Sequence, residues 1–176
     1  MRLIPYEQGN LDGFCGIYSV INATRLIVNG MGEEEAIDLF IDCLKYVGKK
    51  KNFGEACVKG VNREDIWKIF GKIVPAKYAI HVKRPFYRTK GVSFDDFFNV
   101  LREHFGQEGK RVAIICFYHE DWDHWTVVKA LTMKRMMLFD SCNMKILDIS
   151  QCTFEKKAKW KSYCLNPRNT FLLTEK

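Results

Sequence analysis

Cys15 has the sequence setting of a cysteine nucleophile. It lies in the run Asp12-Gly13-Phe14-Cys15-Gly16, directly before apolar residues with helical spacing, so we predict that it begins a helix. The unpaired backbone N–H groups at a helix start carry partial positive charge, and this charge favours the reactive thiolate. The two glycines allow a sharp turn and a close approach to a substrate carbonyl. A buried structural cysteine would fit the same pattern.

His124 is the candidate general base among the four histidines. A polar turn at Glu120 to Asp123 precedes it, and the strand-like run His124-Trp125-Thr126-Val127-Val128 follows. We therefore expect His124 to open a strand at the rim of a sheet. We interpret His104, in the last turn of a predicted helix, and His81, within a short strand, as structural.

A metal loop is an alternative use of the same segment. His119, Asp121, Asp123 and His124 carry suitable ligand atoms, but their spacing does not match the ligand patterns of first-row metals. Cys142, Cys152 and Cys164 are also spaced too widely for a paired zinc site. We predict no metal and no cofactor.

Asp140 is the candidate for orienting the histidine. It ends the apolar run 136–139, and sixteen residues separate it from His124, as a hairpin of two strands would require. A carboxylate bonded to the far imidazole nitrogen fixes the tautomer and stabilises the imidazolium. Asp140-Ser141 would equally fit the start of an ordinary turn.

The oxyanion of an acyl-transfer reaction needs hydrogen-bond donors, and the backbone N–H of Cys15 is one candidate. Gln8, upstream of the cysteine, offers a side-chain amide as the second donor. Asn10 is an alternative for that role.

These segments together resemble the papain-like cysteine peptidase superfamily, most closely its small bacterial C39-like peptidases. They are Gln8, Asp12-Gly13-Phe14-Cys15-Gly16-Ile17-Tyr18-Ser19, His124-Trp125-Thr126-Val127-Val128 and Leu138-Phe139-Asp140-Ser141. The resemblance implies a papain-like fold, with Gln8 in the oxyanion hole, Cys15 as nucleophile, His124 as base and Asp140 where papain has an asparagine. The order cysteine, histidine, aspartate differs from that of the permuted ubiquitin-like-protein proteases, in which the histidine comes first.

Helical periodicity dominates the part of the chain before residue 110. Predicted helices begin at Cys15, at about Glu33, after an N-cap at Asn62 and after Ser93. On the second helix one apolar face is predicted, with Ile37, Phe40, Ile41, Leu44 and Val47. We predict a loop at 48–60 and a short strand at 77–82.

From Arg111 onward the pattern is typical of strands, which we predict at 112–118, 125–131, 136–139, 145–149 and 170–173. Helices followed by consecutive strands predict an α+β domain, with the N-terminal helices packed on a C-terminal antiparallel sheet. The chain has 176 residues and no internal repeat or linker, so we expect residues 1–176 to form one domain.

The seven cysteines are odd in number and include no CxxC pair, which favours reduced thiols in the cytoplasm. Cys43 and Cys116 lie in apolar stretches and are predicted to be packing residues. No apolar run is long enough to cross a bilayer, and residues 1–10 lack the apolar core of a signal peptide. We therefore expect a cytoplasmic protein without a membrane span.

The net charge of +7 would attract acidic partners. Lysines cluster at 49–51 and within 156–161, but no nucleic-acid-binding motif accompanies them, so nucleic-acid binding is not predicted. A protein or peptide substrate, favoured if acidic, is the expected partner, and the sequence does not specify an oligomeric state.

The function expected from this constellation is that of a cysteine peptidase, which hydrolyses a peptide or isopeptide bond through a Cys-His-Asp triad and a thioester intermediate. A glutamine deamidase or transglutaminase-like acyl transferase would use the same chemistry, and a non-catalytic papain-like binding module is the third alternative. Because an amide oxygen also accepts an imidazole N–H, the sequence predicts that Asp140→Asn is milder than Asp140→Ala.

Overall fold

The structure is a computed structural model that describes residues 3–9, 12–50, 52–119, 122–155 and 162–176. Within these ranges it contains five α-helices and eight strands, so the predicted α+β class is confirmed. The helices are α1 Cys15–Ile27, α2 Glu33–Gly48, α3 Phe53–Lys59, α4 Arg63–Lys72 and α5 Phe94–Gly106. The strands are β1 Ile80–Lys83, β2 Arg111–His119, β3 Trp122–Leu131, β4 Arg135–Leu138, β5 Ile146–Asp148, β6 Cys152–Thr153, β7 Tyr163–Leu165 and β8 Phe171–Glu175.

All eight strands belong to one open sheet, in which the main order is β1-β8-β2-β3-β4-β5. These neighbours pair antiparallel. β7 pairs with the far end of β2, and β6 joins β7 in parallel. β2 is therefore the central strand, and β3 and β4 form a hairpin beside it.

Helices cover both faces of the sheet. Along β2, Val112, Ile114 and Cys116 belong to the core that includes α1, α2 and α4. The alternate residues of β2 belong to a second core under α5, which contributes Phe97, Phe98 and Leu101. Burial on both faces explains why β2 reads as a continuous apolar run rather than as an alternation.

Two predicted helix starts are confirmed by their capping contacts. The Asn62 side chain accepts hydrogen bonds from the backbone N–H groups of Glu64 and Asp65, at 2.9 and 3.0 Å. The Ser93 hydroxyl accepts one from the N–H of Asp96 at 3.0 Å. Such caps satisfy donors that the helix itself leaves unpaired.

Three details of the predicted elements are wrong. The predicted loop at 48–60 contains α3, a helix too short to show a clear period, with Asn52 accepting from the N–H of Glu55. β6 and β7 have two and three residues and exist through their pairing partners rather than through a sequence pattern. The predicted apolar face of α2 is wrong in part: Phe40, Leu44 and Val47 pack in or against the core, but Ile37 and Ile41 are exposed. Leu39 and Cys43 are buried instead.

Within the described ranges, none of the helices combines the length and the apolar composition that crossing a membrane requires. Several predicted features lie outside the described residues: Asn10, Lys51, Glu120 and Asp121, and the lysines of 156–161.

Candidate functional site

Cys15 is the first residue of α1, as predicted, and its side chain is half-buried. The turn before it is held against the α3–α4 connection, where the Gly13 N–H donates to the Cys57 carbonyl at 2.6 Å. A Cβ atom on Gly13 would lie 2.4 Å from the Val58 carbonyl oxygen, and one on Gly60, whose φ is +69°, would lie 2.2 Å from the Gly13 carbonyl oxygen. Only glycines allow this backbone approach, which fixes where α1 begins.

The start of α1 leaves backbone donors available beside the thiol. Phe14 occupies the N-cap position and makes no side-chain cap. Asp12 organises the turn instead, because its carboxylate accepts from the N–H of Phe14 at 3.0 Å and from that of Gly9 at 2.6 Å. The N–H groups at the first turn of a helix have no acceptor within the helix, so those of Cys15 and Gly16 can donate to an anionic oxygen.

His124 lies at the third position of β3 rather than at the strand start that the sequence predicts. β3 begins earlier, at Trp122, because it pairs with β2 as far as His119. The His124 side chain is 2% exposed, and its ring contacts the rings of Phe117 and Trp122 at centroid distances of 5.5 Å each. Aromatic edges therefore restrict the orientation of the imidazole.

Asp140 comes next to His124 through the β3–β4 hairpin. The register pairs Leu138 with Val128, and the Phe139 N–H donates to the Val127 carbonyl at 2.8 Å. The continuation of this register places Asp140 opposite Thr126, two residues from His124 on the same face. His124 Nε2 and Asp140 Oδ2 lie 2.6 Å apart, and Asp140 is 1% exposed.

The second oxygen of the Asp140 carboxylate is also fully used. Oδ1 accepts from the backbone N–H of Cys142 at 2.8 Å and from that of Met144 at 3.2 Å. The turn after β4 therefore wraps around the carboxylate, and both oxygens act only as acceptors. This geometry requires that His124 Nε2 carries the proton of the shared hydrogen bond.

Burial and charge oppose each other at this pair. Burial lowers the pKa of His124, but the Asp140 carboxylate and the thiols of Cys142 and Cys15 outweigh it and raise the pKa above the ordinary 6.5. Burial raises the pKa of Asp140, but its bond to His124 and the backbone N–H of Cys142 bring that pKa below the ordinary 3.8. The pair is therefore stable as imidazolium and carboxylate near neutral pH.

Two thiols, not one, face the imidazole. The Cys15 thiol raises the pKa of His124 and has its Sγ 4.0 Å from the Gly13 carbonyl oxygen, and the exposed Cys142 has its Sγ 4.0 Å from His124 Nδ1. The sequence prediction considered Cys142 only as a remote metal ligand. The signal that could have found it is its position two residues after Asp140, in the turn that wraps the carboxylate.

His124, Asp140 and Cys142 also form a set of possible metal ligands, with one ligand atom of each within 4.8 Å of the others. Nitrogen, oxygen and sulfur are the donors that zinc takes. A metal placed among them would have to displace the 2.6 Å hydrogen bond between His124 and Asp140. In the structure, His124 and Asp140 are bonded to each other rather than arranged around a metal position.

Gln8 joins the two halves of the site. Its backbone N–H donates to the Ser141 carbonyl at 3.0 Å, and its side-chain oxygen accepts from the Ser141 hydroxyl at 3.3 Å. Its side-chain Nε2 donates to the Asp12 carbonyl at 3.3 Å. Gln8 thus lies between the turn before Cys15 and the turn after Asp140, with a second amide N–H still to donate.

The other three histidines lie elsewhere. His81 is exposed on β1. His104 is buried, with Nε2 3.0 Å from the Val112 carbonyl oxygen, and burial lowers its pKa. His119 packs on the rings of Trp122 and Tyr163.

Cys43 and Cys116 are confirmed as packing residues, since they are 0% and 1% exposed. Burial raises the pKa of each thiol to about 12, so neither is a nucleophile near neutral pH.

A cleft of about 510 Å³ lies beside the connection between α3 and α4. Gly60 and Asn62 line it together with Asp123 and Trp125 of β3, whose side chains alternate with that of His124 and lie on the opposite face of the strand. Its remaining lining is mostly polar, with Lys59, Val61, Arg63, Glu64, Tyr118, Asn166 and Asn169. A polar, extended ligand is the kind that this cleft fits.

Comparison with family models, with curated proteins and with solved structures gave no significant match to this chain. The residues and their geometry are therefore the basis on which a function can be proposed.

Proposed function

We propose that this protein is a papain-like cysteine peptidase that hydrolyses a peptide or isopeptide bond, with Cys15 as nucleophile, His124 as base and Asp140 as the orienting acid. The supporting observation is the His124 imidazole, which bonds Asp140 through Nε2 at 2.6 Å and interacts with the Cys15 thiol. A ring fixed in this way stabilises a thiolate at the helix start.

In the first half of the reaction the Cys15 sulfur attacks the substrate carbonyl carbon and forms a C–S bond. We assign the stabilisation of the resulting oxyanion to the N–H groups at the start of α1 and to the second amide N–H of Gln8. The His124 imidazolium then gives its proton to the amine as the C–N bond breaks. The products of this half are the free amine and the thioester on Cys15.

In the second half a water molecule attacks the thioester carbonyl while His124, now neutral, accepts the water proton. The C–S bond breaks, and the carboxylic acid leaves. Asp140 does not exchange a proton in either half, because its lowered pKa keeps it ionised, and it stabilises the charged ring each time.

The papain-like architecture is part of this proposal. Two features support it: Cys15 starts a helix that packs on β2, β3 and β8, and Asp140 follows β4, the antiparallel neighbour of the strand that carries His124. We also propose the cytoplasm as the compartment, since all seven cysteines are free thiols.

The substrate that we propose is a polar segment of a protein or peptide. The cleft lined by Asn62 and Trp125 carries both signs of charge, with Lys59 and Arg63 as well as Glu64 and Asp123. An extended chain there would find hydrogen-bonding partners along its backbone and no large apolar pocket. The excess of positive charge on the protein favours acidic substrates at low salt.

Alkylation with iodoacetamide, followed by peptide mapping, tests whether the nucleophile exists. We expect rapid labelling at Cys15 that falls in His124→Ala and persists in the exposed control His81→Ala. The same comparison in a Cys142→Ser background removes the second thiol at the site, so that the labelling measured there belongs to Cys15. Equal rates in His124→Ala and His81→Ala would remove the enzyme proposal and leave the non-catalytic binding module.

A peptide library treated with the wild type and with Cys15→Ser then identifies the reaction. New N-termini that require Cys15 mean hydrolysis of the chain. Ammonia release without new N-termini would reassign the site to glutamine deamidation or acyl transfer, which uses the same thioester.

A further inference from the structure

The outward face of α2 carries two isoleucines that stay about half exposed in the described part of the chain. Leu39 and Cys43 are 0% exposed and face the core, whereas Ile37 is 50% exposed and Ile41 is 40% exposed. Ile41 lies two residues from each buried neighbour, about 200° around the helix, so it points directly away from the core. A helix with apolar residues on two opposite faces contacts something on each of them.

A hollow lies next to Ile41 on this face. It has a volume of about 400 Å³, and Ile41, Leu44, Lys45 and Gly48 line it with Lys49 and Phe53. The first four follow the spacing i, i+3, i+4, i+7, which is the hole that receives one side chain from an opposing helix. Gly48 has no side chain to fill the hole, and the Phe53 ring forms its far wall.

Charge is segregated along the same helix. The first turns carry the exposed acids Glu33, Glu34, Glu35 and Asp38, and the exposed bases Lys45, Lys49 and Lys50 stand at the other end. The Lys45 side chain is 70% exposed, and its ion pair with Asp42 is long, at 3.9 Å. The ammonium group is therefore available to a second acidic partner. Two such helices attract each other when they run antiparallel.

We propose that α2 is the interface of a homodimer with two-fold symmetry, in which the α2 helices of two copies pack antiparallel across Ile41. In this arrangement, residues equally far from Ile41 in sequence face each other. Ile37 then enters the centre of the partner's hole, between Leu44 and Lys45, and the partner's Ile37 does the same in return. This self-complementary packing is the rule for isologous dimers.

The charges select a second copy over other partners. The same register places Glu34 beside Lys49 and Asp38 beside Lys45, so each acidic end meets a basic end. An acidic peptide would satisfy only the lysine end and a basic peptide only the glutamate end. Another copy of α2 in antiparallel orientation satisfies both at once. The proposal does not depend on the peptidase proposal, because none of these residues belongs to the triad.

Sedimentation velocity of the full chain over a range of concentrations tests the proposal. We expect reversible dimerisation that Ile37→Asp weakens by at least about 100-fold, since it places a charge in an apolar hole twice per dimer. Met133→Asp is the matched control, because Met133 is 73% exposed in the β3–β4 turn. The control should dimerise like the wild type.

Exchange of the charges at Asp38 and Lys45 tests whether the two α2 helices pack antiparallel, as proposed, or in some other way. Lys45→Glu turns two symmetry-related attractions into repulsions, so we expect roughly tenfold weaker dimerisation. Asp38→Lys should weaken it similarly, and the double variant Asp38→Lys/Lys45→Glu should restore it, because the swapped charges again oppose each other. A chain that stays monomeric at all concentrations would overturn the proposal. A dimer that ignores Ile37→Asp, or a double variant weaker than both single ones, would overturn it as well.

Discussion

Asp140→Asn is predicted to be nearly as damaging to activity as Asp140→Ala, which reverses the expectation from the sequence. From the sequence alone, the Asp140 carboxylate counts as one acceptor for one imidazole N–H. In the structure Oδ2 serves His124 and Oδ1 serves the N–H groups of Cys142 and Met144. Asparagine has one oxygen for these three donors.

The cost of each amide orientation decides the outcome. If the amide oxygen of the Asp140→Asn side chain points toward His124, its NH₂ group faces the backbone N–H groups of Cys142 and Met144. Each of these donors then loses its acceptor, which costs about 1–3 kcal/mol of stability. With the oxygen toward those N–H groups, only the contact to His124 changes. The second orientation is cheaper, so the NH₂ group faces Nε2 and the ring must carry its proton on Nδ1, toward the thiols.

A ring protonated on Nδ1 cannot accept a proton from Cys15. Replacement of the aspartate by asparagine in a serine-protease triad costs about 10⁴ in rate through the same tautomer change, and we expect a loss of about 10³–10⁴ here. The activities of Asp140→Ala and Asp140→Asn should differ by no more than about tenfold. Asp140→Ala should be the less stable of the two, because it also leaves the N–H groups of Cys142 and Met144 without an acceptor.

The assay is the rate of Cys15 alkylation across pH 5–9 in a Cys142→Ser background, together with kcat/KM once a substrate is found. Thermal melts of both variants separate the loss of the tautomer from the loss of fold. Asp148→Asn is the control, since Asp148 is exposed and pairs with Arg135. An Asp140→Asn rate within tenfold of the wild type, with Asp140→Ala at least a hundredfold slower, would refute the reasoning.

Three other predictions follow from the same contacts. Gly13→Ala should destabilise the fold by about 1–3 kcal/mol and slow Cys15 alkylation, because the added Cβ would lie 2.4 Å from a backbone oxygen. Gly71→Ala is the control, since this position in α4 has open space around it, and it should stabilise the fold by about 0.5–1 kcal/mol. Chemical denaturation measures both changes. Gln8→Ala should lower kcat/KM by roughly 10²-fold, and unchanged kinetics would remove Gln8 from the oxyanion hole. The ion pair of His124 and Asp140 contributes fully to folding stability between pH 3.8 and 6.5, the ordinary pKa values of the two groups. The contribution is lost as pH falls through the lowered pKa of Asp140. It is also lost as pH rises through the raised pKa of His124. His124→Gln should therefore lose most stability, about 3 kcal/mol, near pH 5 in urea melts, and a constant difference across pH would contradict the pairing.

Local patterns in the sequence were sufficient to place Cys15 at a helix start. Capping residues and helical spacing depend on neighbours within one or two turns, so Cys15, Asn62 and Ser93 marked their helices correctly. The short apolar and β-branched runs of the later segments likewise predicted most of the strands and the β3–β4 hairpin that brings Asp140 near His124.

Only the tertiary structure decided the features that depend on partners distant in sequence. The start of β3 was set by its pairing with β2, and β6 and β7 exist only through the sheet that they join. Which face of α2 is buried depended on α1 and α4, so the spacing of its isoleucines pointed to the wrong side. Cys142 joined the site because the turn around the Asp140 carboxylate carries it back toward His124. Sequence spacing records which residues can share one element, but contacts between elements depend on packing energy summed over the whole core, which no local window contains.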